Sequence, residues 1–440
     1  MNTRTTQINI TTHRFFTKNA SFLAFCLCAL LPTTTNAFNI EEQVQISGFL
    51  SFGGGISSAE AYPGGDDPND PEDIPNPDED TPKYTAGSGR FIYDDKLSFD
   101  QDTRAGLQLD FTIDEKTSAT LQFVSKGSVD NFDPDLSWAY LSYNVMPDLK
   151  IRAGRFRLPI YLASDYLDVG IAYPWIRPPT EVYSTINMSN LTGIDALYSK
   201  QIGDWIWSTQ PFMGASEFER GDFTSRFRDL YGINSSISNG GLSVRIAIME
   251  YEFSVEPWPL SDAHRGLIQA LRTAGFSDLE EYGNPNGRTS TFFAAGVNWH
   301  NHLWVLQSEW VRRDNAESGP DVDGYYITIG YQWNTWQPHL TFASRKVTNS
   351  NNRFHPDRAL LAVASPALEA AVVALTNEIT GIEDNSSESI TAGINYSFSD
   401  AMIGKFEFSE IRNKRSTGLF EFATKHDKNH IASFVIDVIF

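Results

Sequence analysis

Segments of about ten residues with alternating apolar and polar side chains recur along this chain, and they restrict its possible folds more than any other feature. In TRAGLQLDFTI, one face carries Ala105, Leu107, Leu109, Phe111 and Ile113, and the other carries Arg104, Gln108, Asp110 and Thr112. The segments KTSATLQFVSK and HIASFVIDVIF, the second of which ends the chain, alternate in the same way. Because successive side chains of a strand point to opposite faces, the pattern predicts strands with one apolar face.

Residues 1–37 have the pattern of a secretory signal peptide. Three basic residues precede a short apolar run at residues 20–31, small residues follow at 35–37, and no acidic residue occurs before Glu41. An apolar run of 12 residues is too short to cross ~30 Å of hydrocarbon as a helix. We therefore expect residues 38–440 to be the mature, exported chain.

The mature chain is acidic and lacks cysteine. Cys26 and Cys28, the two cysteines of the chain, both lie in the predicted signal peptide, so the mature part has no disulfide, thiolate metal site or cysteine nucleophile. Removing three basic residues and no acidic one changes the net charge from −21 to −24. This charge disfavours nucleic acid as a partner.

The rest of the chain has no run of 18 consecutive apolar residues, so no spanning helix is predicted. A chain of strands can enter a membrane only as a closed barrel, because lipid cannot hydrogen-bond an open sheet edge. The sequence therefore predicts an all-β fold, a transmembrane antiparallel β-barrel of about 16 strands. Segments 91–99 and 417–425 are open to interpretation as additional strands or as loop.

The predicted connections alternate between short turns and long loops, which is typical of outer-membrane barrels with long extracellular loops. The seven short turns lie at residues 114–116, 146–148, 202–204, 239–240, 300–302, 334–337 and 399–401. The eight long connections lie at residues 56–90, 128–135, 158–190, 217–228, 253–288, 314–321, 349–387 and 414–428. Sixteen strands would surround a water-filled lumen rather than a packed core.

The first and third long loops differ in character. Loop 56–90 contains DDPNDPEDIPNPDED, with eight acidic residues and four prolines, and is predicted to be solvated. Its spacing does not fit a calcium-binding loop. Loop 158–190 combines four prolines with many Tyr, Trp and Ile residues, so it cannot pair for long in a sheet. We expect it to fold into the lumen and set the bore. Helical segments are predicted within 261–275 and 357–380.

Charged side chains at the narrowest ring of a pore determine its selectivity. The predicted constriction consists of Asp165, Asp168, Arg177 and Glu181 on the loop and of Arg104, Lys126, Arg152, Arg245, Arg345 and Lys405 on the inward strand faces. Glu309 and Glu407 are inward acids. An acidic loop facing a basic wall would create a transverse field. Alternatively, these residues are ion-paired wall residues without a selective role. Arg155 and Arg157 are out of phase with Arg152, which either a bulge at Gly154 or a position above the lipid level would accommodate.

Aromatic residues allow further interpretations. Tryptophans and tyrosines near strand ends indicate interfacial girdles; a sugar-stacking path along the lumen is the alternative. Loop residues Tyr161, Tyr166, Tyr173 and Trp175 are candidates for stacking on solutes. The chain has no GxSxG and no HExxH motif, so we predict no enzyme activity, no cofactor and no metal site.

The opening VQISGFLSFGG, the stretch WAYLSYNVMPDLKIRAGRFRLP and the terminal FVIDVIF resemble Gram-negative outer-membrane porins. The resemblance implies a homotrimer in outer-membrane lipid whose third extracellular loop narrows each pore, with Phe440 read by the assembly machinery. The expected function is passive diffusion of ions and small hydrophilic solutes. The alternatives are a channel specific for phosphate, sulfate or a sugar, and a structural or adhesive barrel.

Overall fold

The computed structural model describes a large part of the predicted mature chain. The described residues are 43–59, 85–86, 90–91, 93, 95–127, 132–186, 188–220, 223–256, 262–275, 287–315, 321–348, 363–371, 386–413 and 428–440. The chain divides into Met1–Gln43 and Val44–Phe440, and only the second unit is described below. The predicted signal peptide and the acidic segment 66–80 lie outside the described residues.

Sixteen antiparallel strands form one closed barrel, as predicted. The strands are β1 Val44–Ser57, β2 Arg104–Thr112, β3 Thr117–Lys126, β4 Asp135–Met146, β5 Leu149–Arg157, β6 Asn190–Ile202, β7 Trp205–Arg220, β8 Phe223–Asn239, β9 Leu242–Glu256, β10 Arg288–His300, β11 Trp304–Asp314, β12 Asp321–Tyr331, β13 Trp336–Thr348, β14 Ser387–Ser399, β15 Met402–Asn413 and β16 Lys428–Ile439. Each strand pairs with the next, and β1 closes the barrel by pairing with β16.

The alternation of side chains puts apolar groups on the outside of the barrel, and the inward side chains are polar except where the inner faces of β7–β13 carry an apolar core. On β16, Ile436 is exposed on the outer surface, whereas its neighbour Asp437 is buried inside. On β4, exposed Leu141 likewise precedes buried Ser142. This is the reverse of a soluble protein, and the outward apolar band is the surface that lipid would contact.

Aromatic side chains form two outward groups at different levels of the barrel. Trp304 and Tyr331 pack beside one short turn, with ring centroids 4.8 Å apart. Closer to the long loops, the rings of Phe293 and Trp310 lie 5.5 Å apart. Two levels of outward rings are what interfacial girdles require.

The predicted long loop at 217–228 is wrong. Strands β7 and β8 continue through this region, and their ladder extends to the pair formed by Arg220 and Phe223. Polar residues suggested a loop, but they stabilise the hairpin by pairing across the strands. The Nε atom of Arg226 donates to Glu217 at 2.8 Å, for example. A register shift between Phe227 and Leu230 interrupts the ladder.

The predicted bulge at Gly154 is also not observed. Strand β5 pairs without a register shift at this residue on both sides. Instead, Gly154 has a φ of +137°, which L side chains rarely adopt. Arg152 points into the lumen, and Arg157, at the end of the strand, points towards the segment that follows.

The described helices belong to connections between strands and are not part of the barrel wall. Helix α1 is Thr180–Tyr183 and helix α2 is Asp262–Thr273, which confirms the helix predicted within 261–275. None of the helices that the structure describes is long and apolar enough to cross a membrane. Of the segment 357–380, residues 363–364 and 366–371 are helical. The described residues of segment 91–99 form no barrel strand: Phe91 pairs with Thr85 in a separate two-stranded sheet, and Ser98 makes an isolated bridge to Gly55 of β1. Segment 417–425 lies outside the described residues.

Candidate functional site in the barrel lumen

The segment between β5 and β6, residues 158–189, lies inside the barrel; we call it the lumen loop. It contains the 3₁₀ helices Ser164–Tyr166 and Gly170–Ala172 and helix α1. Its side chains and carbonyl groups contact inward residues of strands on opposite sides of the barrel, as the following contacts show. The third long connection therefore occupies the lumen.

Trp175 anchors the lumen loop to strands β12 and β13. Its indole Nε1 donates to the hydroxyl oxygens of Thr328 at 2.9 Å and Thr341 at 3.0 Å. Its ring lies 5.2 Å from that of Tyr326 in an edge-to-face arrangement. Trp175 is 2% exposed, so both its apolar surface and its single donor are satisfied inside the barrel.

A second apolar contact attaches both ends of the loop to β10. The ring of Tyr161 packs edge-to-face on Phe292 at 5.4 Å, and its hydroxyl accepts a hydrogen bond from the backbone of Ile186 at 3.1 Å. The main apolar core of the described chain thus lies between the loop and the inner faces of β7–β13. The wall residues of this core include Phe212, Phe227, Met249, Phe292, Val311, Tyr326 and Ala343.

On the opposite wall, charged side chains hold the loop. Lys405 on β15 donates to the carbonyl oxygens of Gly170, Tyr173 and Trp175 at 2.6, 2.8 and 2.7 Å. On β2, an Nη atom of Arg104 donates to the hydroxyl of Tyr173 at 2.8 Å. These predicted wall cations are used to bind the loop backbone and a loop tyrosine.

Asp168 is the loop acid that contacts two cations. The Nζ atom of Lys126 lies 2.5 Å from one carboxylate oxygen, and Arg157 contacts the other. Burial alone would raise the pKa of Asp168, but Arg157 and Lys126 outweigh it and hold the pKa well below the usual range. The carboxylate is therefore ionised at every physiological pH.

Arg177 extends the charged contacts to the first long loop. Its guanidinium contacts Asp102, lies 5.3 Å from the ring centroid of Tyr93, and donates to Ser433 on β16 at 3.2 Å. Asp102 also accepts a hydrogen bond from Tyr93. The lumen loop and the last described residues before β2 are thus connected by one ion pair.

Of the predicted loop acids, Asp165 has the most exposed side chain, and it contacts Arg245. The Arg245 guanidinium lies 3.4 Å from the Asp165 carboxylate and donates to the carbonyl of Pro159 at 2.9 Å. The Asp165 side chain is 61% exposed. It is therefore the predicted loop acid that faces the water of the lumen most directly.

Three glutamates are buried between loop and wall. Glu309 accepts the backbone N–H of Leu162 at 2.7 Å, and Glu407 accepts that of Ile176 at 2.9 Å. Glu181, in α1, is 1% exposed, and burial raises its pKa. Nearby, Arg345 on β13 donates to the Ser184 hydroxyl at 2.8 Å.

Arg152 has its partner on the adjacent strand. Its guanidinium makes a bidentate contact with Asp195 on β6, at 3.0 and 2.5 Å, and lies about 5 Å from the rings of Tyr140 and Phe156. Gln210 on β7 donates to the same carboxylate at 2.7 Å. This polar row lines the wall formed by β5, β6 and β7.

The geometry differs from the predicted field in one respect. Asp165 and Asp168 contact cations directly, whereas the sequence predicts an acidic loop and a basic wall that face each other across the lumen. For Asp168 the physical reason is burial, because a charge taken out of water is stable only when it is paired. Three further residues pair with the predicted constriction charges: Asp102, Arg157 and Asp195. The sequence does not indicate that they belong to the constriction, because the partner of a charged residue becomes known only with the register and the folded structure.

No protein-family model and no curated protein matches this sequence. Solved structures match the fold. An anion-selective porin from Comamonas acidovorans superposes with a TM-score of 0.51 at 12% identity, over 90% of this chain and 99% of that one. The outer membrane channel DcaP of Acinetobacter baumannii superposes with a TM-score of 0.50 at 10% identity, over 90% and 97%. The chain has the fold of the outer-membrane porins.

Within this porin fold, the lumen loop is the third long connection, as counted from the sequence. Among the described residues, no group of three or more His, Cys, Asp or Glu side chains is arranged to hold a metal ion.

Proposed function

We propose that this chain is an outer-membrane porin, a channel for passive diffusion of ions and small hydrophilic solutes. The observation that carries the proposal is the lumen loop, which packs inside a closed barrel of sixteen strands and is bound to opposite walls. Such a barrel encloses water. A loop fixed within it narrows the bore without closing it.

The proposal includes the location and the assembly. The outward apolar band and the aromatic girdles suit outer-membrane lipid, and residues 1–37 suit export. We propose a homotrimer on the basis of the porin resemblance. The pore constriction would comprise the loop and wall charges described above, with Asp165, Lys126 and Arg152 in contact with water.

Liposome swelling tests the diffusion function. Vesicles containing the purified mature chain should swell in isotonic sugar solutions at rates that decrease as the sugar becomes larger. Control vesicles without protein should not swell. Equal, negligible rates with correctly folded protein would reject the channel and favour a structural or adhesive barrel.

A solute-specific channel is the second candidate, and the extent of the loop contacts favours it. The loop makes polar contacts with strands β8, β9 and β11–β16 and also with β2 and β3, so the path left for solutes is narrow and lies mainly beside β4–β7. A narrow path makes solutes shed water and occupy binding positions in turn. Currents that saturate, or that close when phosphate, sulfate or a sugar is added, would establish this function.

Neutral substitutions in the Arg152–Asp195 pair should shift ion selectivity in opposite directions. Arg152→Gln leaves Asp195 without its guanidinium and should move the reversal potential towards cation preference, whereas Asp195→Asn should move it towards anion preference. The double variant should return close to the wild-type value. Reversal potentials under a salt gradient measure the effect, with Lys346→Gln as an exposed control on β13. Shifts of the same sign in both single variants would contradict this arrangement.

Glu181 should make loop docking depend on pH. Its folded-state pKa is raised, so its contribution to stability is complete below the unfolded pKa, about 4.3, and is lost as the pH rises through the folded-state pKa. Glu181→Gln should therefore match wild type at low pH and exceed its stability at high pH. Thermal unfolding in detergent between about pH 4 and 8 measures this difference, with Glu115→Gln as an exposed control. A constant difference across this range would refute it.

A further inference from the structure

Lys405 occupies a cage made of the lumen loop's own backbone. Its Nζ atom lies 2.6, 2.8 and 2.7 Å from the carbonyl oxygens of Gly170, Tyr173 and Trp175. A carboxylate oxygen of Asp437 lies 3.2 Å away. An ammonium group has three N–H donors, so the three carbonyl groups use all of them. Lys405 is 3% exposed, so this charge is not presented to water in the lumen.

The convergence of the three carbonyl groups requires a positive charge. Their dipoles point at one position, and without a cation they would repel each other in a water-poor environment. Rings of backbone carbonyl oxygens are also how proteins replace the hydration shell of a monovalent cation. The backbone from Gly170 to Trp175 is thus folded around the ammonium group of Lys405, a residue of β15.

Asp437 and Gly170 complete the cage. Asp437 on β16 accepts a hydrogen bond from Ser51 at 2.5 Å, which fixes its carboxylate. A Cβ atom at Gly170 would lie 2.2 Å from the same carboxylate, so only glycine lets the loop approach this closely. The cage therefore depends on a side chain from each of β15 and β16 and on one glycine of the loop.

We propose that Lys405 is a tethered cation that positions the constriction loop, and that its cage binds a free ammonium-type monovalent cation when the side chain is removed. This inference rests on the proposed porin function. It assigns Lys405 a positioning role, in place of the role of a pore charge that the sequence predicts. The cage would take ammonium or methylammonium because these ions supply the same charge and donors.

Two substitutions at Lys405 distinguish the effect of its charge from the effect of its packing. Lys405→Ala removes the charge and leaves space for a small cation, whereas Lys405→Met removes the charge but keeps the side chain's apolar volume. In sodium chloride, both variants should show a noisier and higher single-channel current than wild type, because the loop is released. In ammonium or methylammonium chloride, Lys405→Ala should return to the wild-type current in the same salt, and Lys405→Met should not.

Chymotrypsin provides a readout that does not depend on conductance. In wild type, the bond after Trp175 is buried and should resist cleavage. Both variants should be cleaved there in sodium chloride, and methylammonium should protect Lys405→Ala only. Lys346→Met, an exposed lysine on β13, serves as the matched control and should behave as wild type throughout.

The outcomes distinguish this inference from the proposed function. If wild type forms channels and both Lys405 variants keep its current and its resistance to chymotrypsin, the positioning role is overturned while the porin function stands. Equal behaviour of the Ala and Met variants in methylammonium would overturn the cation site. A folded wild-type barrel without conductance would overturn the porin function, but the protease test would still decide the cage.

A further variant tests the cage with Lys405 in place, so that the test does not depend on the folding of the Lys405 variants. Gly170→Ala keeps the lysine but places a methyl group against Asp437. It should release the loop to chymotrypsin, and added methylammonium should have no effect because Lys405 still fills the cage. Full protection of Gly170→Ala would contradict the close approach on which the cage depends.

Discussion

Deleting residues 162–186 of the lumen loop should raise the single-channel conductance several-fold, because a sixteen-stranded barrel without an inward loop encloses a wide aqueous channel. The structure makes the deletion feasible. Arg157 and Asn190, at the two ends of the connection, are register partners on β5 and β6, so a short turn can join them without strain. Planar-bilayer recording of the refolded variant measures the change.

Deletion of α2, Asp262–Thr273, from another long connection is the control. It removes 12 residues that are not part of the lumen loop, and the conductance should stay at the wild-type level. Unchanged conductance after deletion of 162–186 would exclude the loop as the constriction. A rise after deletion of α2 alone would move the constriction to that connection.

Trp175→Ala should have the largest effect of any single substitution on loop docking. It removes a side chain that is 2% exposed and leaves the hydroxyl groups of Thr328 and Thr341 without their shared donor. Truncations of buried tryptophan cost about 3–5 kcal/mol of stability. The free energy of unfolding in detergent micelles, from urea titration followed by gel mobility, measures the loss.

Two variants serve as comparisons for Trp175→Ala. Trp175→Phe keeps a ring against Tyr326 and loses the indole donor, so it should cost only about 1 kcal/mol, since the two threonine hydroxyl groups also hydrogen-bond to each other. Trp333→Ala, at a residue 64% exposed, should change the free energy by less than about 0.5 kcal/mol. A loss at Trp175 no larger than at Trp333 would show that the loop is not anchored by this ring.

The barrel could be predicted from the sequence because a strand has a period of two. Alternation alone placed Arg104 and Lys126 on the inward face, and both side chains contact the lumen loop. The rhythm of short and long connections led to the strand number. The prolines and aromatic residues of 158–190 indicated a loop with apolar partners, and Trp175 shows what those partners are.

Contacts between distant strands could not be predicted, because they depend on register and on tertiary approach. Arg152 was recognised as inward, but nothing in the sequence connects it to Asp195 rather than to a loop acid. The extension of the β7–β8 hairpin through residues 217–228 was missed for a related reason. Arg226 and Glu217 look like loop residues singly, and their pairing across the strands makes them favourable in a ladder.

The charges assigned to one constriction from sequence have two kinds of environment in the structure. Lys405 is buried and holds the backbone, whereas the Asp165 side chain is accessible to water. Composition cannot distinguish these roles, because burial depends on how closely the loop approaches each wall. Substitutions at the two residues should accordingly affect loop position and ion selectivity, respectively.

Single-channel recording of residues 38–440 in a planar bilayer under a salt gradient tests the central claim most directly. Discrete steps, with a current that rises linearly with salt concentration, are the result expected of a loop-narrowed diffusion channel, and a trimer should give steps in groups of three. Absence of conductance from a barrel shown to be folded and inserted would contradict the account.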